Sequence, residues 1–240
     1  GDMASRADMS RCFCVEVGQP LPGEAEPSGA PSCCGAFLEK LRGAGVEAPP
    51  SPPMRHTVLS CVGAFVSLSA LGLGHRLVAA ASDGTFEMII PPFGAVALLI
   101  FGAHKAPLAQ PKNVILGNVI GAVVGYAVWS GAAAIDDRRG LQDCGSLCEP
   151  TEYLWLTAAI AVSLTIVIQE KWNVAHPPGA AMALVYVTVP RLRHMGAAYI
   201  LCPSLLGSLL FVCIGVLINN VSLNRAYPQS SWLGRSDGAR

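Results

Sequence analysis

The chain has 240 residues, 52% of them hydrophobic and only 13% charged, and its 16 basic and 16 acidic residues cancel to a net charge of zero. A charged share about half that of an ordinary soluble domain excludes a protein with a fully hydrated surface. Without net positive charge or a basic stripe interleaved with aromatics, nucleic acid is not an expected partner.

In chain order, residues 1–55 are poor in apolar side chains and read as a hydrophilic, Pro/Gly-rich N-terminal extension. Its opening, "GDMASRADMSRCFC", lacks the apolar stretch of a secretory signal, and Asp2, Asp8 and Glu16 argue against a transit peptide. The start therefore reads as mature or internal. Within it, "CCGAFLEKLRGAG" predicts one short helix with Phe37, Leu38 and Leu41 on a single face. Such a segment buries no core of its own, so either the membrane domain or another subunit is expected to hold it. Cys12, Cys14, Cys33 and Cys34 are paired too tightly for a zinc fork, so disulfides or free thiols are expected there.

From Thr57 onward there are six apolar segments. Four, at 57–80, 112–134, 152–169 and 196–218, approach or exceed the roughly 20 residues that a helix needs to cross a bilayer. Two are shorter and carry a proline pair at or near the start, "IIPPFGAVALLIFGA" at 89–103 and "HPPGAAMALVYVTV" at 176–189. The fold class that follows is an all-α membrane protein with four long transmembrane helices and two short Pro-Pro-initiated helices. The transmembrane domain is placed at 56–222, followed by a short polar C-terminal tail at 223–240.

The two halves lie on each other. Pro92 falls on Pro177 and Gly94 on Gly179, and "GNVIGAVVG" then meets "PSLLGSLLF" with Gly121 opposite Gly207. An internal two-fold repeat is the expectation. If the short segments cross fully, each half has three passes and the halves are inverted; if they re-enter, the halves are parallel. Charge leaves the choice open. With six crossings, Arg55, Lys105, Lys112, Lys171 and Arg225 fall on one side and Arg76, Arg138, Arg139, Arg191 and Arg193 on the other, five against five.

The candidate substrate site follows from the proline pairs. Proline is favoured at a helix start, and a helix N-terminus carries a partial positive charge that suits a small anion. Pro92 and Pro178 mark two such starts, with Gly94 and Gly179 allowing close approach to the backbone. His176, just before Pro177, can donate to an anion, take a proton, or cap the helix. Gln110 and Asn113, in "LAQPKN", add amide donors beside the first short segment, while Lys105 and Lys112 read as interfacial lysines. Gly117, Gly121 and Gly125 form a double GxxxG that predicts close helix packing, with Gly207 as the counterpart of Gly121.

Cys61, Cys202 and Cys213 read as inert fillers of apolar helices, and Cys144 and Cys148 can form a short loop disulfide on an oxidising side. No enzymatic motif is present, so no catalytic residue, metal or cofactor is predicted, and single histidines such as His75 are weak signals for haem or chlorophyll.

"PPFGAVALLIFG", "PLAQPKNVILGNVIGAVVG" and "HPPGAAMALV" together closely resemble the HPP family of integral membrane proteins, over roughly residues 55–222. The resemblance implies four transmembrane helices. It further implies nitrite transport, at the chloroplast envelope in plant members, and so an organellar membrane: envelope or thylakoid, with the mitochondrial inner membrane as second choice. Two departures touch the candidate site. Asn118 stands where the family often has histidine, and Met182 where it usually has threonine. Two functions follow as expectations. One is a transporter of a small inorganic anion, whose partners are the bilayer and that anion. The other is a non-catalytic subunit of a larger photosynthetic or respiratory membrane complex, whose other subunits contact residues 1–55.

Overall fold

The computed structural model describes residues 50–138 and 153–229. Residues 1–49 of the N-terminal extension, with the short helix expected there and the tail cysteines, lie outside these residues, as does the Cys144–Cys148 pair; helix α1 begins within the last two residues of the expected extension.

Helix α1, Met54–Ala81, starts after the extended Pro53 and ends where Asp83 and Gly84 take left-handed φ values of 49° and 78°. A non-helical stretch leads back to α2, Pro92–Ala97, which widens into π-helical turns over Leu98–Gly102. Helix α3 is Pro111–Arg138 and α4 is Leu154–Lys171. Helix α5, Pro177–Thr188, begins one residue earlier than Pro178, with His176 as its extended N-cap. The short α6, Pro190–Arg193, precedes a π-helical segment, Ile200–Leu205, that runs into α7, Leu206–Asn219. The last long segment thus starts at 200, after Gly196 has taken a φ of 53°. It also bears an irregular residue, Cys202, directly before Pro203, where proline restricts the preceding backbone.

Every described element is helical, and four helices are long and apolar enough to cross a membrane. The two short ones, 92–102 and 177–188, are about 16 and 18 Å long, roughly half a hydrocarbon core.

Their directions follow from contacts. Ser60, near the start of α1, bonds the carbonyl of Phe101, and Asn219, at the end of α7, bonds that of Ile100. Met88, ahead of α2, instead donates to His75 near the end of α1. Chain 85–102 therefore runs back alongside α1, antiparallel to it. Helices α1 and α3 then point the same way. In the second half, Gln169 near the end of α4 bonds Gly117 near the start of α3, so these two are antiparallel. Gly117, Gly121 and Gly125 meet His176, Gly179 and Ala183 in turn, so α5 runs parallel to α3. Helix α7 then returns, and Arg225 beyond its end bonds the carbonyl of His56.

The chain thus travels between the two ends of the bundle six times, and the short helices complete passes rather than turning back. Long, short, long is the order in each half; it does not by itself establish a superposable internal repeat. Cysteine-accessibility labelling of the full chain, with its own accessible cysteines replaced, should show Lys105→Cys and Asn220→Cys reacting from one side and Asp83→Cys and His194→Cys from the other. Labelling of Lys105→Cys with Asp83→Cys would remove the six-pass order.

The core lies where the short helices meet the long ones. Phe93, Val96, Ile100, Phe101, Met182, Tyr186, Tyr199 and Phe211 are buried together, and the rings of Phe93 and Phe211 stack at 5.2 Å. Val58, Val62, Phe65, Leu73 and Leu77 of α1 point outward, as suits a lipid-facing helix. Cys61 and Cys213 also stand on this outer surface rather than filling the core.

Candidate functional site

Three contacts place the two short-helix starts at one depth. Gly117 of α3 lies against the Cβ of His176; its neighbour Asn118 donates to Ser208 Oγ of α7 at 2.9 Å; and Gly207, beside Ser208, lies against the Phe93 ring. His176, Pro178, Gly179, Pro92, Asn118 and Ser208 are all buried in this layer. Gly94 is not brought to it: Gly94 is exposed and a Cβ there would touch nothing, and Pro177 is likewise exposed.

The backbone at both starts is already satisfied. Pro91, Pro92, Pro177 and Pro178 have no N–H, Phe93 and Gly94 donate to Ile90 and Pro91, and Gly179 donates to His176. Gly179 is moreover enclosed by Gly117, Gly121 and Gln169, so it serves helix contact rather than access for a ligand. Free amide donors, the physical basis of an anion site at a helix start, are absent from these first turns.

Side chains supply the remaining polarity. The His176 side chain does not cap α5: Nδ1 lies 2.9 Å from the carbonyl oxygen of Leu108. A carbonyl only accepts, so Nδ1 carries the hydrogen and Nε2 of the neutral ring is a bare acceptor. That atom is buried without a partner. Asn118 is oriented by the same logic. Ser208 donates its hydroxyl to the Ser204 carbonyl at 2.6 Å, so it must accept from the Asn118 amide nitrogen, leaving Oδ1 unpaired and buried. Ser204 Oγ is buried and unpaired as well.

Of the other predicted residues, Gln110 holds the loop before α3 and Asn113 ties α3 to the residue before His176. Gln110 donates to the carbonyls of His104 and Ala106 and accepts from the Gln229 N–H, while Asn113 donates to Ala175. Met182 is fully buried, and its carbonyl accepts from Tyr199 Oη. His75 accepts the N–H of Met88. Sequence reasoning missed Gln169, whose Oε1 accepts the His176 N–H at 2.9 Å while its Nε2 donates to Gly117 at 3.0 Å. A lone amide inside an apolar helix was the available signal. It also missed Ser204 and Ser208, and the anchoring of residues 225–229 by Arg225 and Tyr227, whose hydroxyl donates to Ala109.

These features define a polytopic membrane protein with a closed polar layer between two short, oppositely directed helices. The family model for the HPP transmembrane region matches residues 49–228, and the chain belongs to that family. It is 32% identical over 197 residues to one transmembrane protein of Dictyostelium discoideum, covering 82% of this chain and 63% of the relative. A second transmembrane protein of that organism is also 32% identical, over 196 residues, covering 82% of this chain and 57% of the relative. The chain thus spans roughly three fifths of the length of these relatives. No solved structure matches it.

Proposed function

We propose that this protein carries a small inorganic anion across its membrane together with a proton, with the buried layer around His176 as the transit site. Nitrite, suggested by the family resemblance, is the anion of choice. The observation that carries this reading is the His176 ring: its Nδ1 is committed to a carbonyl and its Nε2 is a buried, unpartnered acceptor at the start of α5. With the helix-start amides already bonded, a bare anion finds few donors there. An anion that brings a proton does find one, because the proton on Nε2 turns the acceptor into a charged donor. The positive ends of α2 and α5 favour the same negative charge. Ser204 Oγ–H is a further donor, while Asn118 Oδ1 can accept from a protonated acid. The arrangement is closed, as expected of an occluded step between two open ones.

The test is nitrite uptake into proteoliposomes holding the full chain, measured above protein-free vesicles and with an inward proton gradient. Uptake should rise with the gradient and fall to background in His176→Ala. Equal uptake in the variant would reduce the motif to a helix start. No uptake by folded wild-type protein would favour the complex-subunit role.

A further inference from the structure

A second polar cluster lies at the bundle end that holds the start of α1 and the end of α7. Arg225 is buried there, only 6% exposed. Its Nη1 donates to Asn219 Oδ1, and its Nη2 to the His56 carbonyl and to Ser60 Oγ. None of these partners is a carboxylate, and its Nε has no partner. His104, 7% exposed, has both ring nitrogens buried and unpartnered, and His56 Nε2 is buried and unpartnered too. His104 belongs to the loop closed onto residues 225–229 by Gln110 and Tyr227, which brings it within electrostatic reach of Arg225. Burial first, and then the charges of Arg225, Lys105 and His56, lower the affinity of the His104 ring for a proton below its ordinary value.

Among the described residues the Arg225 guanidinium has no counter-charge, which is costly for a buried cation, and so is a buried imidazole with no hydrogen bond at either nitrogen. The C-terminal ends of α7 and of the Leu98–Gly102 turns face the cluster and offset part of the charge, but α1 and α3 present their positive ends to the same region. A small oxyanion answers the whole set: it supplies the missing negative charge and several acceptors at once. The geometry points to an oxyanion-binding site formed by His56, His104 and Arg225, with Lys105 at its rim, separate from the His176 layer. The ligand is either a free inorganic oxyanion or the phosphate of a lipid headgroup, which share this chemistry. The loop carrying His104 also presents the Leu108 carbonyl to His176, so the site lies one loop away from the proposed transit layer. Equilibrium binding there does not depend on transport.

The experiment is thermal unfolding of the delipidated full chain in maltoside detergent, with sodium phosphate, sodium nitrite or a short-chain phosphatidic acid, each against sodium chloride at equal ionic strength. At ten times the dissociation constant the midpoint should rise by roughly 3–6 °C. The rise should disappear in His104→Gln, whose ring makes no hydrogen bond on which folding depends, and shrink in Arg225→Lys. A rise with phosphate or nitrite assigns the site to free anions; a rise only with phosphatidic acid assigns it to a headgroup. No rise with any of the three in a cooperatively melting protein, or an undiminished rise in His104→Gln, overturns the proposal.

Discussion

Gly121→Ala should destabilise the bundle by about 3 kcal/mol or more, and fail to fold in the less tolerant case. The single methyl would be driven into the carbonyl group of Gly179, which is backbone and has no rotamer through which to yield. Gly179 is itself hemmed in by the Gly117 carbonyl and by Gln169, so no sideways shift relieves the clash. Helices α3 and α5 would have to part, and separation at this level also lifts His176 from Gly117. In a bilayer, where lipid tails are as apolar as the side chains, close backbone contact of this kind is the main source of helix association. Gly131→Ala is the control. A Cβ there meets nothing within 4 Å, so the substitution should be neutral or add up to about 1 kcal/mol from helix propensity. Equilibrium unfolding of both variants in one detergent measures the contrast, and a Gly121→Ala protein as stable as wild type would refute the close-packing account.

Gln169→Leu should be the next most harmful change. Leucine fills a similar volume but leaves the His176 N–H and the Gly117 carbonyl buried and unpaired. At about 1–3 kcal/mol for each of the two stranded groups, the loss is about 2–6 kcal/mol. Gln169 also hydrogen-bonds α4 to both α3 and the N-cap of α5. The variant should therefore show faster amide exchange at residues 176–180 than at the far end of α5, and reduced uptake if His176 works as proposed. Protection unchanged from wild type would show that packing alone fixes the helix start.

The two expectations differ in how far the sequence announced them. The spacing of Gly117, Gly121 and Gly125 put three glycines on one helix face, because residues four apart share a face whatever surrounds them. Which helix would meet that face was not written there, since no local rule links residue 121 to residue 179. Gln169 was visible as an amide in an apolar run, but its two partners lie 7 and 52 residues away in the chain. The proline pairs announced two helix starts, and both starts stand within a residue of their expected places. Their meaning for an anion was misleading in one respect. The same prolines that start the helices remove the amide hydrogens that an anion would need, and the next residues bond back to the carbonyls just before them.

By itself the sequence determined the class, the four long helices, the two short ones and the family, because each of these rests on local composition, length or motif, which the chain carries wherever it goes. Tertiary structure alone decided the rest. Whether the short segments return or cross depends on which long helix each lies beside, and arginines and lysines divided five against five could not say. The tautomer of His176, the orientation of Asn118 and the gathering of His56, His104 and Arg225 depend on carbonyls and charges brought from distant parts of the chain. A hydrogen bond has direction and reach but no memory of sequence separation, so its partners become known only when the helices are packed.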